Sequence, residues 1–265
     1  MKVVAMILLI HVLASVALAD NVRPAALQGV GIDQRLNQQV PLDLVFRDET
    51  GKPVKLSDYS GDKPIILALV YYQCPMLCTL TLNGLVRAMR MLSFDAGRQY
   101  TVVTVSFDLR ETASLAAAKK SEYVARYGRS GAADGWHFLT GDESSIQSLT
   151  QAVGFHYKFD PQSGQYAHAT GLVILTPRGR IARYFYGVEF SPRDLRLALV
   201  EASANKIGSP VDEVLLFCFH YDPSTGKYSL LVTRVLQLAG VCTVLVMGAF
   251  IGLTVWRERD SRLRT

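Results

Sequence analysis

The segment Tyr71-Tyr72-Gln73-Cys74-Pro75-Met76-Leu77-Cys78-Thr79 sets two thiols four residues apart, directly after a run of apolar residues. Such a pair can be a disulfide staple, a redox couple or two ligands of a metal. If a helix begins here, residues four apart share one face and both sulfurs can point to the same place. Pro75 suits a first helical turn, where its missing N–H costs nothing. The unpaired N–H groups and positive dipole end of such a helix lower a thiol pKa and favour thiolate. Thiolate serves redox and metal chemistry alike. Common redox couples use Cys-x-x-Cys, one residue tighter than this pair, although a disulfide across four positions stays geometrically possible. Two thiolates with one imidazole make a favourable low-coordinate site for soft Cu(I). Structural zinc wants a fourth protein ligand, and no further Cys or His has convincing spacing. Spacing alone leaves redox and metal chemistry both open.

Other candidates are weaker. Cys218 and His220 lie two apart in Val214-Leu215-Leu216-Phe217-Cys218-Phe219-His220. In a strand they face one side, a possible second relay site for copper; the simpler reading is a buried strand whose cysteine packs as a small hydrophobe. Cys242 falls in a long apolar run and reads as a small apolar residue. Asp108 either holds a cationic partner near the site or caps the next helix. His137, beside Trp136, is read as structural, His156 as an outside candidate for an auxiliary ligand, and His11 as part of a leader.

The elements that must position these groups are legible in outline. Asn37 to Tyr59 alternates apolar and polar residues around Glu49-Thr50-Gly51-Lys52, the pattern of an N-terminal hairpin. The run after Pro64 is continuously apolar, as expected of a strand buried on both faces, and the Val-rich segment after Tyr100 reads as a second buried strand. Helical spacing covers 79–92, 115–127 and 142–153, the last with Asp142 as N-cap. Trp136 to Gly141 is a short strand, and a turn is expected at 160–164. Strands at 170–175 and 181–186 flank a hairpin at Thr176-Pro177-Arg178-Gly179-Arg180. Ser191 then caps a helix that opens on Pro192 and runs to about Asn205. The order βαβα then ββα predicts an α/β fold, a mixed central sheet covered by helices.

The ends of the chain speak to location. Residues 1–19 have one positive charge, an apolar stretch and Ala17-Leu18-Ala19, the pattern of a cleaved signal peptide. Val235 to Trp256 contains no charged residue; as a helix it would cover roughly 30 Å, enough to span a bilayer. Gly248-x-x-x-Gly252 within it is a weak self-association face. The tail 257–265 carries four arginines against two acids and belongs in the cytoplasm by the positive-inside rule. The expectation is therefore an exported domain, residues 20–230, on the periplasmic side of a bacterial-type inner membrane with one C-terminal transmembrane helix. Lys and Arg outnumber Asp and Glu by only 28 to 23 and are scattered, so nucleic acid is an unsuitable partner. Four cysteines in a chain of this size, one of them in the apolar run at 235–256, are too few for a disulfide framework.

Several motifs, taken in order, resemble the Sco/SenC family of cytochrome oxidase assembly proteins: the hairpin DETGKPVKLSDYSGDKP, the strand with YYQCPMLC, SFDLRET, and YAHATGLVILTPRGR. The similarity runs from about Val40 to Ala204. It implies a thioredoxin-like fold and a copper site made by Cys74, Cys78 and His168; without the resemblance His168 would read as an ordinary strand-edge histidine. It also implies a role in carrying copper to the binuclear copper centre of cytochrome c oxidase. Partners would be that enzyme's copper-binding subunit and another periplasmic copper carrier or a thiol reductant. A thiol-disulfide oxidoreductase using Cys74 and Cys78, or a redox or copper sensor, are the alternatives. Departures from the family pattern are Gln73 before the first cysteine, Thr79 after the second, and Leu109 where a proline usually follows the acidic residue.

Overall fold

The computed structural model describes residues 29–74 and 77–207, with short stretches at 221–222, 227–228, 240–241, 243–245 and 247–248. In chain order the first unit contains β1 (Gly31–Ile32), β2 (Val45–Arg47), β3 (Pro53–Lys55), a 3-10 turn (Leu56–Tyr59), β4 (Ile65–Val70) and α1 (Leu77–Met91). There follow β5 (Thr101–Ser106), α2 (Ala113–Tyr127), the short α3 (Ala132–Gly135), β6 (Trp136–Leu139) and α4 (Glu143–Ala152). β7 (Phe155–Asp160), β8 (Gln165–His168), β9 (Gly171–Leu175), β10 (Ile181–Tyr186) and α5 (Pro192–Ser203) complete it. The second unit, residues 208–265, contains the antiparallel pair β11 (Tyr221–Asp222) and β12 (Lys227–Tyr228).

The central sheet has the order β10-β9-β4-β5-β6. β5 runs parallel to β4 and to β6, whereas β9 is antiparallel to β4 and to β10. Every residue of β4 and β5 is buried, which explains the unbroken apolar run of β4 and the small, Val-rich residues of β5. Parallel strands need crossovers, and α1 and α2 supply them. α1 packs on α2 and on α5, α5 lies on β9 and β10, and α2 runs along β6. Trp136, Tyr123, Tyr127 and Phe138 fill the space beside β6, and Trp136 Nε1–H donates to Thr104 Oγ1 at 2.9 Å.

A smaller sheet, β1-β7-β8, stands apart from the central one. β7 and β8 form a hairpin closed by the Asp160–Gly164 turn, where Gly164 has φ +68°. β2 pairs antiparallel with β3, and Asp48 Oδ1 accepts the Thr50 and Lys52 amides in the turn between them. Side-chain caps start the helices: Thr112 for α2, Asp142 for α4 and Ser191 for α5.

α1 begins at Leu77, earlier than the apolar spacing from Thr79 indicates. Residues 1–28, Cys218, His220 and Cys242 lie outside the described residues, as does most of 235–256. Among the described residues no helix is long and apolar enough to cross a membrane.

Candidate metal centre

β4 ends where the cysteine segment begins. Tyr71 and Tyr72 continue its line, and the Cys74 amide donates back to the Tyr71 carbonyl at 3.2 Å, closing a turn. Cys74 therefore precedes α1, whose second residue is Cys78. Cys74 follows the buried strand and Cys78 lies in the first turn of the helix, and the two sulfurs point to the same place, as the spacing indicates. The Cys78 amide belongs to the unpaired N–H groups of the helix start and donates to Cys74 Sγ at 3.4 Å. The Tyr71 amide donates to Cys78 Sγ at 3.3 Å. Both cysteines are reduced and buried.

His168 comes from the other sheet. It is the last residue of β8, paired with Tyr157 of β7, and its Nε2 lies 3.4 Å from Cys78 Sγ. The Nδ1 atom is 2.8 Å from the Ala169 carbonyl. A carbonyl only accepts, so Nδ1 carries the proton and Nε2 presents its lone pair toward the sulfurs. Tyr71 and Phe107 hold the ring edge-on, with centroids 5.7 and 5.3 Å away. The two sulfurs and one imidazole nitrogen all lie within 4.8 Å of one another, and they form the one such group of potential ligands among the described residues. Two soft sulfur donors, one nitrogen and no carboxylate favour a soft monovalent or borderline metal over Mg or Ca.

The electrostatics differ from expectation. Burial pushes the Cys78 thiol well above its ordinary pKa, and the neighbouring Cys74 pushes it in the same direction. Desolvation outweighs the helix start, contrary to the lowered thiol pKa read from the sequence. Burial also raises Tyr71, whose hydroxyl hydrogen-bonds Cys74.

Asp108 holds a cationic partner and does not cap a helix. Arg110 Nε donates to Oδ1 at 2.8 Å and Nη2 to Oδ2 at 2.7 Å, a two-pronged fork, while Thr112 takes the capping role. Tyr166 Oη donates to Asp108 Oδ1 at 3.4 Å, and the Arg110 guanidinium lies over the Tyr166 and Phe159 rings. Burial pushes the Asp108 carboxyl up, but the Arg110 hydrogen bonds and charge, with Tyr166, hold it below the ordinary range.

Glu111 is a participant that the sequence did not disclose. Its buried carboxylate accepts from the Tyr72 amide, the Gln73 amide and Ser106 Oγ. Burial raises its pKa against those hydrogen bonds. Its partners on the cysteine side are backbone groups, which have no residue-type signature; its place three residues after Asp108 was the available signal. His137 packs against Tyr59 with the rings tilted and their centroids 4.3 Å apart, and His156 Nε2 lies 2.9 Å from Asp33 Oδ2. Neither joins the thiol cluster.

Comparison with known proteins places this arrangement among relatives. The family model described as SCO1/SenC matches residues 33–202. No curated protein matches the chain. A protein of Aquifex aeolicus named for electron transfer is 26% identical, with a TM-score of 0.57 over 65% of this chain and 96% of its own. A SCO1/SenC family lipoprotein of Bacillus anthracis is 16% identical, with a TM-score of 0.53 over 65% and 99%. BsSco, described as a member of the Sco family of cytochrome c oxidase assembly proteins, is 20% identical, with a TM-score of 0.52 over 66% and 99%. The last two share the fold.

Proposed function

The chain belongs to the SCO1/SenC family, and from that premise we propose that it is a copper carrier serving cytochrome c oxidase assembly. The observation that carries this reading is the convergence of Cys74, Cys78 and His168 within 4.8 Å. Two thiolates and a neutral imidazole suit Cu(I) by softness and by the low coordination number they offer. Cu(I) is cargo here. Its arrival displaces the thiol protons, because sulfur binds metal as thiolate, and its departure is ligand exchange without electron transfer. The cargo would pass to the copper-binding subunit of the oxidase, the enzyme whose binuclear copper centre is being assembled.

The location read from the sequence completes the proposal: residues 20–230 outside the cytoplasm, held by a helix at 235–256 with the arginine-rich tail inside. Reporter fusions after Ile207 and after Thr265 test it, with export-dependent activity expected for the first and cytoplasmic activity for the second.

A thiol-disulfide oxidoreductase acting on the target's cysteines is the second reading, favoured by the hydrogen bond between the Cys74 and Cys78 thiols. Titrating the reduced protein with Cu(I) against a competing chelator decides for or against the carrier. About one Cu(I) per chain is expected from the three-donor site; no binding in competition would overturn it.

A further inference from the structure

We infer that Glu111 is a positioning residue for the thiol pair: its carboxylate clamps the backbone that delivers Cys74, tying the cysteine loop to the loop after β5. This rests on the reading of Cys74, Cys78 and His168 as a copper site and adds a residue outside the ligand set.

The geometry is specific. β4 and β5 are parallel and end together, with Val70 opposite Ser106. The chain after each strand must turn away, and the space above two such adjacent strand ends is where α/β sheets build sites. Phe107 N–H donates to the Val70 carbonyl at 2.9 Å, so the two loops stay in register for one residue more. Beyond that point no strand pairing remains to hold Tyr72 and Gln73. Glu111 replaces it. Oε2 accepts the Tyr72 amide at 2.7 Å and Oε1 accepts the Gln73 amide at 2.7 Å. Ser106 Oγ donates to Oε2 at 2.5 Å and accepts the Asp108 amide at 3.1 Å. One side chain thus fixes the 71–72 and 72–73 peptide planes, and the turn bond from the Cys74 amide to the Tyr71 carbonyl holds the next one.

A buried carboxylate is a costly way to do this. Glu111 is 9% exposed and has no ion-pair partner among the described residues. Burying a charge without a counter-charge is unfavourable unless several donors satisfy it. A neutral amide could satisfy one peptide N–H, but its NH2 group would meet the second donor head-on. A carboxylate is the side chain that accepts two parallel N–H groups at once. The Tyr72 and Gln73 amides need an acceptor once withdrawn from water, and because Glu111 supplies it, the same contact that satisfies them also sets the course of the chain into Cys74. Its sulfur must meet Cys78 and His168, which arrive from α1 and β8. Partners that orient metal ligands from outside the ligand set typically contribute about 10–100-fold to affinity.

The test is Glu111→Gln in the full chain, with Cu(I) competition and backbone amide exchange as readouts. The expected result is an affinity about tenfold or more weaker, with faster exchange at Tyr72 and Gln73 in the reduced, metal-free protein. Glu111→Asp, which keeps both oxygens on a shorter arm, should fall between Gln and wild type. Should Glu111→Gln fail to fold, Glu111→Asp carries the comparison alone, again as weaker Cu(I) binding and faster exchange. Ser106→Ala, which leaves both amides accepted, should cost less affinity than Glu111→Gln. A folded Glu111→Gln protein with wild-type affinity and unchanged exchange at the two amides overturns the inference. If the wild-type protein binds no Cu(I), the carrier reading fails, yet the amide exchange still decides for or against the clamp.

Discussion

Cys78 is the least accessible of the three soft donors, at 3% exposure against 7% for Cys74 and 8% for His168. His168→Ala should weaken Cu(I) binding by about tenfold or more and leave disulfide exchange by Cys74 and Cys78 nearly unchanged. Comparable losses in both assays would remove the separation between carrier and reductase. Asp108 belongs to the same scale. Its folded pKa lies below the unfolded value of about 3.9, so its contribution to stability is complete above that pH and is lost as pH falls through the folded value. Urea midpoints of Asp108→Asn should lie below wild type at neutral pH, with the gap closing on acidification below about pH 4. A gap independent of pH would show that the Arg110 fork is not its cause.

At the scale of elements, α1 must sit close enough to the chain before α5 for Cys78 to face His168. Gly84 permits that approach: a Cβ there would come 1.8 Å from the Val188 carbonyl oxygen. Gly84→Ala should cost about 2–3 kcal/mol, read as a lower urea midpoint, and should weaken Cu(I) binding as the helix shifts. An unchanged midpoint would mean that the loop at Val188 yields freely. The elements themselves were largely legible. The all-apolar run of β4 and the Val-rich run of β5 were readable because both faces are covered, and Asp142 and Ser191 marked helix starts as side-chain caps, with Pro192 at the first helical position. The site was legible only in part. The cysteines announce themselves, but His168 is separated from Cys78 by ninety positions and lies in an ordinary strand pattern; the family resemblance, and no local signal, pointed to it. The thiol energetics were misread because helix-end arguments concern exposed groups, whereas Cys78 in this first turn is buried and desolvation dominates.

Taken as a whole, the molecule divides after Ile207. Residues 29–207 contain the central sheet, its helices and all three donors. A protein cut after Ile207 should unfold in a single transition and bind Cu(I) as the full chain does; calorimetry and the chelator competition check both. Loss of binding on truncation would assign part of the site to residues beyond 207. Within the first unit, the donors are divided between two sheets: the cysteines follow β4, and His168 closes β8, three residues before the chain enters the central sheet as β9. A bound ion would then act as a rivet through two plates. Loading would stiffen the β7–β8 plate, seen as slower amide exchange across 155–168, and force applied at its tip would loosen the rivet. Because such coupling runs equally in both directions, a partner that binds the plate more tightly when the site is empty would sense the load and, by the same factor, lower the hold on it.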